Sequence, residues 1–202
     1  MIKTLGVMGG TFNPIHYGHL MAAQEAMIEF HLGEILFIPN QVPPHRQSEG
    51  YIISGHHRLI MACLAISSNP YFKASTLELE RPEVSYTVDT IRELKKIYGE
   101  TEISFITGAD SLIKYDWHNI GELLDLLTYF IVATRPGFSL SNLDQKIREM
   151  KLANAHKIKP LQIPNVDISS TEIRRRLKMG KPVKYLVPEA VENYIYKNKL
   201  YI

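Results

Sequence analysis

The sequence predicts an α/β fold, a doubly wound, mainly parallel sheet with flanking helices, on three observations. Short runs such as Ile2 to Met8, Glu34 to Pro39, Glu102 to Thr107 and Tyr129 to Thr134 read as buried strands. Stretches between them carry apolar residues at helical spacing, so each strand is followed by a crossover helix. The chain of 202 residues suits one such domain and buries about 70% of its unfolded surface.

The first strand runs into Gly9-Gly10-Thr11-Phe12-Asn13-Pro14-Ile15-His16-Tyr17-Gly18-His19. Leu20, Ala23, Met27 and Phe30 then form the stripe of a helix. A strand, a glycine turn and a helix make a phosphate-handling corner. Gly9 and Gly10 admit close backbone approach, and the helix start adds a positive dipole end. His16 and His19, three residues apart, can point the same way, toward the mouth of the sheet. Taken by itself such a pair is more often two solvated or carbonyl-capping histidines. No G-x-x-x-x-G-K-[ST] motif occurs, and no G-x-G-x-x-G opens this helix. A structural zinc site is less expected, since it wants four nitrogen or sulfur ligands and Cys63 is the single cysteine.

After the second strand comes a proline-rich polar loop, residues 41–50, with Pro43 and Pro44 stiffening its start and His45 and Arg46 at its tip. It is read either as a solvated basic tip or as a phosphate contact at a strand's carboxyl end. A helix from about Ser54 to Ser67 carries His56 and His57, which face different ways, and Cys63, expected to be a buried thiol. Phe72 to Leu79 reads as a third strand. Val88, Ile91, Leu94 and Tyr98 mark a helix for which Thr87 is a credible N-cap and Asp89 suits the first turn. The alternative is that this helix start receives a carboxylate. Gly108 and Asp110 close the fourth strand, where Asp110 suits a ribose or a helix cap. Trp117, the one tryptophan, is a core residue or a flat platform at a polar rim. Arg135 follows the fifth strand, again at a carboxyl end. A helix from about Asn142 to Leu152 and a short strand from Ile158 to Ile163 complete the doubly wound, Rossmann-like pattern.

The second dense stretch is Ile168-Ser169-Ser170-Thr171-Glu172-Ile173-Arg174. Ser169 and Glu172 fit a capping box. Ser170, Thr171 and Arg174 gather hydroxyls and a guanidinium at one helix start, a cradle for a polyanion. Arg175 and Arg176 point elsewhere, toward a solvated face. No nucleophile pattern stands out, whereas donors and cations abound. Such a set suits phosphoryl or nucleotidyl transfer, where catalysis is positioning and charge stabilisation. An attacking phosphate monoester is largely a dianion at neutral pH, so no general base is required.

The run G-G-T-F-N-P-I-H-Y-G-H, with its H-x-G-H core, resembles the first signature of the nucleotidyltransferase superfamily, and I-S-S-T-x-I-R its second. Gly-Gly-Thr-Phe-x-Pro, Pro-Pro-His and Ser-Tyr-Thr-x-Asp-Thr are similar to the bacterial nicotinate-mononucleotide adenylyltransferase branch. Asn13 departs from the aspartate most common there, removing a negative charge near the phosphates. The resemblance runs from Leu5 to about Tyr201, including Tyr185-Leu186-Val187-Pro188, where Pro188 is expected at the first helical position. It implies a single domain over residues 1–202 with a helical part from about 169 onward.

The resemblance further implies transfer of adenylyl from ATP to nicotinate mononucleotide in NAD biosynthesis. His16, His19 and Arg174 would be catalytic. Gly9, Gly10, Thr11, Phe12, His45, Arg46, Gly108, Asp110, Ser170 and Thr171 would bind ATP. Tyr86, Thr87, Trp117 and Arg135 would bind nicotinate mononucleotide. Mg²⁺ would travel on the phosphates, with no metal site built from protein side chains. Relatives acting on pantetheine phosphate, glycerol phosphate or nicotinamide mononucleotide are the nearest rivals, and a catalytically idle nucleotide sensor is a different class. A net charge of +2 argues against a sequence-independent nucleic-acid binder. No signal peptide or membrane-length apolar run is seen, so a cytoplasmic location is expected. Assembly into a homo-oligomer is left open.

Overall fold

The computed structural model describes residues 3–41, 52–81, 83–134, 140–164 and 166–202. The elements are β1 (Thr4–Gly10), α1 (Tyr17–Glu29), β2 (Glu34–Pro39), α2 (Gly55–Ile66), β3 (Phe72–Ala74), α3 (Thr87–Tyr98) and β4 (Glu102–Gly108). There follow α4 (Ala109–Lys114), α5 (Ile120–Leu126), β5 (Phe130–Thr134), α6 (Leu140–Glu149), β6 (Ile158–Gln162), α7 (Ser170–Lys178) and α8 (Glu189–Lys197). The six strands form one sheet in the order β3-β2-β1-β4-β5-β6, every neighbouring pair parallel. The order reverses between β1 and β4, and a crevice opens at the carboxyl ends of strands at such a switch point. The doubly wound expectation holds.

Both faces of the sheet are covered, which is why its strands read as unbroken apolar runs. Alternate residues enter different cores. Met8, Ile35, Phe37, Ile106 and Ile131 pack with α1, α2, α7 and α8 through Ala23, Met61, Ile173 and Val191. Leu5, Val7, Leu36, Ile38, Ile103 and Phe130 pack with α3 to α6 through Ile91, Leu112, Leu123 and Leu143.

Several local expectations are corrected. β1 extends to Gly9 and Gly10, which pair with Ile38 and Pro39, so the turn begins at Thr11. β3 stops at Ala74, and residues 77–80 form a turn rather than more strand. The residue preceding α3 is Tyr86, so Thr87 is the first helical residue and not the cap. Pro188 lies one residue before α8. Cys63 is exposed, because the buried stripe of α2 is Arg58, Met61, Ala62, Ala65 and Ile66 and Cys63 falls on the other side. Only half of the expected capping box forms at α7. Ser169 Oγ accepts from the Glu172 N–H at 3.2 Å, while the Glu172 carboxylate turns to Arg175 and Arg176. Those two guanidiniums, Arg175 first, hold the Glu172 carboxyl down to about 2.

The carboxyl-terminal turn reaches back to the first loop. The Tyr201 hydroxyl, on a residue 4% exposed, donates to Asn13 Oδ1 at 2.8 Å. The Ile53 N–H donates to the same oxygen at 3.4 Å. Tyr201→Phe removes one buried donor, and thermal melting is expected to show a loss of about 1–2 kcal/mol. An unchanged melting temperature would mean that the hydroxyl holds nothing.

Candidate active site

Between β1 and α1 the chain must turn while keeping its side chains at the sheet's edge. Phe12 adopts φ 47°, a left-handed conformation costly for a bulky residue. Its ring is buried, 6.0 Å from the Phe37 ring and edge-on to His19 at 5.2 Å. Gly10 leaves room for it, since a Cβ there would come within 3.1 Å of the Phe12 ring. The strain therefore fixes one wall of His19.

His16 precedes α1 and His19 lies in its first turn. Their rings stack with centroids 3.7 Å apart. The His16 backbone N–H donates to His19 Nδ1 at 3.2 Å, which places the neutral ring's proton on Nε2. Gly18 is what lets the pair close up, because a Cβ there would meet His16 Nδ1 at 3.0 Å. The spacing H-x-G-H thus orders two imidazoles as a unit.

The second dense stretch locks onto the first. Ser170 Oγ donates to the Pro14 carbonyl at 2.9 Å, and Arg174 Nη1 donates to the Asn13 carbonyl at 2.7 Å. Arg174 Nη2 also donates to Thr171 Oγ1 at 3.3 Å. The start of α7 and the turn before α1 are therefore one assembly, although 161 positions separate Arg174 from Asn13. One difference from the sequence reading follows. The Ser170 hydroxyl proton is directed to a carbonyl, so the cradle's donors at α7 are Thr171 and the free N–H groups of the helix start.

A cavity of about 480 Å³ opens where these elements meet. Gly9, Gly10, Thr11, Phe12, His16, His19, Ser170 and Thr171 line it together with Tyr86, Thr87, Gly108, Asp110 and Trp117. Arg174 stands behind that wall. Asp110 lies inside the short α4, exposed and 3.6 Å from Lys114, so it is not that helix's cap. Trp117 is half-buried. Its edge packs on Phe105 and Phe130, its Nε1–H donates to the Ser111 carbonyl at 3.3 Å, and it still reaches the cavity. The Tyr86 and His118 rings pair beside it at 4.3 Å. His45, Arg46 and Arg135 lie outside the described residues. His56 and His57 do not share a site: His57 Nδ1 is 2.8 Å from the Tyr194 hydroxyl on α8.

Two charged residues escaped the sequence reading. Arg58 on α2 is 1% exposed. Its Nε donates to the Ile53 carbonyl at 3.1 Å, and its Nη1 to the Thr11 carbonyl at 2.8 Å and to Asn40 Oδ1 at 3.5 Å. Burial pulls its pKa down, opposed by Tyr201 and Glu78. The available signal was a cation inside the apolar stripe of a helix. Glu78, in the turn after β3, is 5% exposed and lines the cavity. Burial pushes its carboxyl up to about 7, against the hydrogen bond from Thr90 and the neighbouring arginines. No sequence signal pointed to it, because a longer third strand would have given it an ordinary place.

Comparison with known proteins bears on the family. The cytidylyltransferase-like family profile matches residues 7–176. A probable nicotinate-nucleotide adenylyltransferase of Thermoanaerobacter sp. (strain X514) is 44% identical over 199 residues, covering 98% of this chain and 93% of that one. The nicotinate-nucleotide adenylyltransferase of Bacillus subtilis (strain 168) is 42% identical over 202 residues, covering 99% of each. Among solved structures, the Plasmodium falciparum nicotinic acid mononucleotide adenylyltransferase complexed with NaAD superposes with a TM-score of 0.78 at 23% identity, over 98% of this chain and 97% of that one. That last likeness speaks for the fold. With the profile matched from the first strand to α7 and relatives above 40% identity along its length, the chain belongs to the cytidylyltransferase-like family, in its nicotinate-nucleotide adenylyltransferase branch.

Proposed function

We propose that the protein transfers the adenylyl group of ATP to nicotinate mononucleotide, releasing pyrophosphate and forming nicotinate adenine dinucleotide for NAD biosynthesis. The observation that carries this reading is the fusion of the two dense stretches into one cavity wall. Ser170 and Arg174 are bonded to Pro14 and Asn13, so imidazoles and helix start face a common space. A triphosphate needs donors along its whole length, and this wall supplies them.

In the reaction the 5′-phosphate of the mononucleotide attacks the α-phosphorus of ATP in line, and the bond to the β-phosphate oxygen breaks. The attacking group is already a dianion, so the protein's task is alignment and charge stabilisation. His19 Nε2–H and His16 donate to phosphate oxygens as charge builds. Thr171 and the N–H groups at the start of α7 hold the departing β and γ phosphates, and Arg174 acts from behind them, holding Thr171 Oγ1 and the Asn13 carbonyl in place and adding its positive charge. Gly9, Gly10, Thr11 and Phe12 shape the approach of the triphosphate, with His45 and Arg46 assigned to it as well. Gly108 and Asp110 meet the ATP nucleoside. Tyr86, Thr87, Trp117 and Arg135 receive the mononucleotide, its carboxylate directed at the start of α3 and its ring at Trp117.

Among the described residues no three His, Cys, Asp or Glu side chains cluster as a metal site. The reading includes an Mg²⁺ ion that would arrive on ATP and would offset the charge of its phosphates. No described helix is long and apolar enough to cross a membrane. A cytoplasmic location is part of the proposal.

Parallel assays of pyrophosphate release from ATP with nicotinate mononucleotide, nicotinamide mononucleotide and pantetheine phosphate test the reading. Fastest release with the first, with the dinucleotide as product, is the expected result. ATP binding without release from any acceptor would point to a nucleotide sensor.

A further inference from the structure

Glu78 has no task in the transfer step, yet it is a buried carboxyl in the wall of the cavity. Thr90 Oγ1–H donates to its Oε1 at 2.7 Å, and Ser85 also hydrogen-bonds it. Thr90 belongs to the first turns of α3, and Ser85 directly precedes Tyr86 and Thr87. Ser85 Oγ in turn accepts from the Gln41 N–H at 3.3 Å. The carboxyl therefore stands behind the segment assigned above to the pyridine carboxylate. The charged groups around it come from three sides. Arg58 approaches from α2. Arg81, in the same turn, reaches Thr90 Oγ1 at 3.3 Å and Glu93 of α3 at 2.8 Å. His118 stands beside Tyr86, and Asp110, Lys114 and Tyr115 are further ionisable groups in the cavity lining.

Two carboxylates in one poorly hydrated cavity oppose each other, whereas a carboxylate beside a carboxylic acid or an amide does not. We propose that Glu78 makes the acid-over-amide preference of the pyridine end depend on pH. As the neutral acid it tolerates a nicotinate carboxylate in the same cavity. As the carboxylate it repels one, so the preference for the acid substrate falls as pH rises. The proposal rests on the adenylyltransferase reading and adds its specificity. Burial raises the Glu78 pKa to about 7, so both forms are populated over an ordinary assay range. Binding of the acid substrate also favours the protonated side chain and takes up a proton that binding of the amide does not.

The test compares kcat/KM for nicotinate and nicotinamide mononucleotides with ATP between pH 6 and 8.5. Taking their ratio cancels the titration of ATP, metal and ribose phosphate, which both substrates share. In the unmodified protein the ratio is expected to fall roughly fivefold or more. In Glu78→Gln it is expected to stay high and flat, while in His118→Asn the fall persists. An equal slope with and without Glu78, or no slope in the unmodified protein, overturns the proposal. Should Glu78→Gln fail to fold, calorimetry of the unmodified protein in buffers of differing ionisation enthalpy gives the answer at pH 7. Greater proton uptake with the acid than with the amide supports the proposal, and equal uptake refutes it. No dinucleotide from the acid substrate at any pH would sink the parent reading instead, which is a separate outcome.

Discussion

His19→Ala is expected to lower kcat by about 10²- to 10³-fold, or roughly 2.7–4 kcal/mol, while ATP still binds. The ring is held from two directions, by the Phe12 edge at 5.2 Å and by the His16 N–H at Nδ1. It is thus aimed before substrate arrives, and a donor that need not reorganise acts mainly on the transition state. Single-turnover rates and binding of a non-hydrolysable ATP analogue separate the two effects. His19→Gln, which retains an N–H donor, is expected to recover part of the rate. If turnover is unchanged, the imidazole has no part in the chemistry. If ATP binding falls as steeply as turnover, its role is in the ground state.

The largest effect on stability is expected at Arg58. Arg58→Met leaves the carbonyls of Ile53 and Thr11 without their guanidinium donor in a buried place, and removes a positive neighbour from Glu78. A loss of about 3 kcal/mol or more follows from stranded buried acceptors. For a domain of this size that is roughly 6–12 °C in melting temperature. Arg58→Lys keeps the charge, but an ammonium on a flexible stem does not reproduce the planar fork that serves three acceptors. It is expected to recover less than half of the loss. Because Thr11 begins the phosphate-side turn, ATP affinity is expected to weaken in both variants even where they remain folded. Calorimetric melting within 1 °C of the unmodified protein would show that the guanidinium is dispensable.

What was legible in the sequence were features with a period or a signature. The parallel strands were visible because burial on both faces removes polar alternation. The α3 stripe of Val88, Ile91 and Leu94 was visible because only one face of that helix is covered. His16, His19, Ser170, Thr171 and Arg174 were readable as donors and cations at two helix starts. Their meeting through Asn13 and Pro14 depends on tertiary packing, so spacing could not supply the partner atoms. The errors have the same origin. Cys63 looked apolar in an apolar run, yet the angular position of the covered stripe decides burial, and that depends on which side of α2 meets the sheet and α8. Arg58 and Glu78 belong to a buried network assembled from α2, the turn after β3 and α3, which no local window contains.

Asn13 ties the order of synthesis to the readiness of the molecule. Its side-chain oxygen receives the hydroxyl of a residue 188 positions later. A ribosome therefore completes every strand of the sheet well before the phosphate-side loop acquires its last anchor. A contact so distant in sequence is slow to form. Exopeptidase trimming that reaches Tyr201, or a bulky fusion joined just beyond it, would act on an apparently remote tail and be felt in the middle of the molecule.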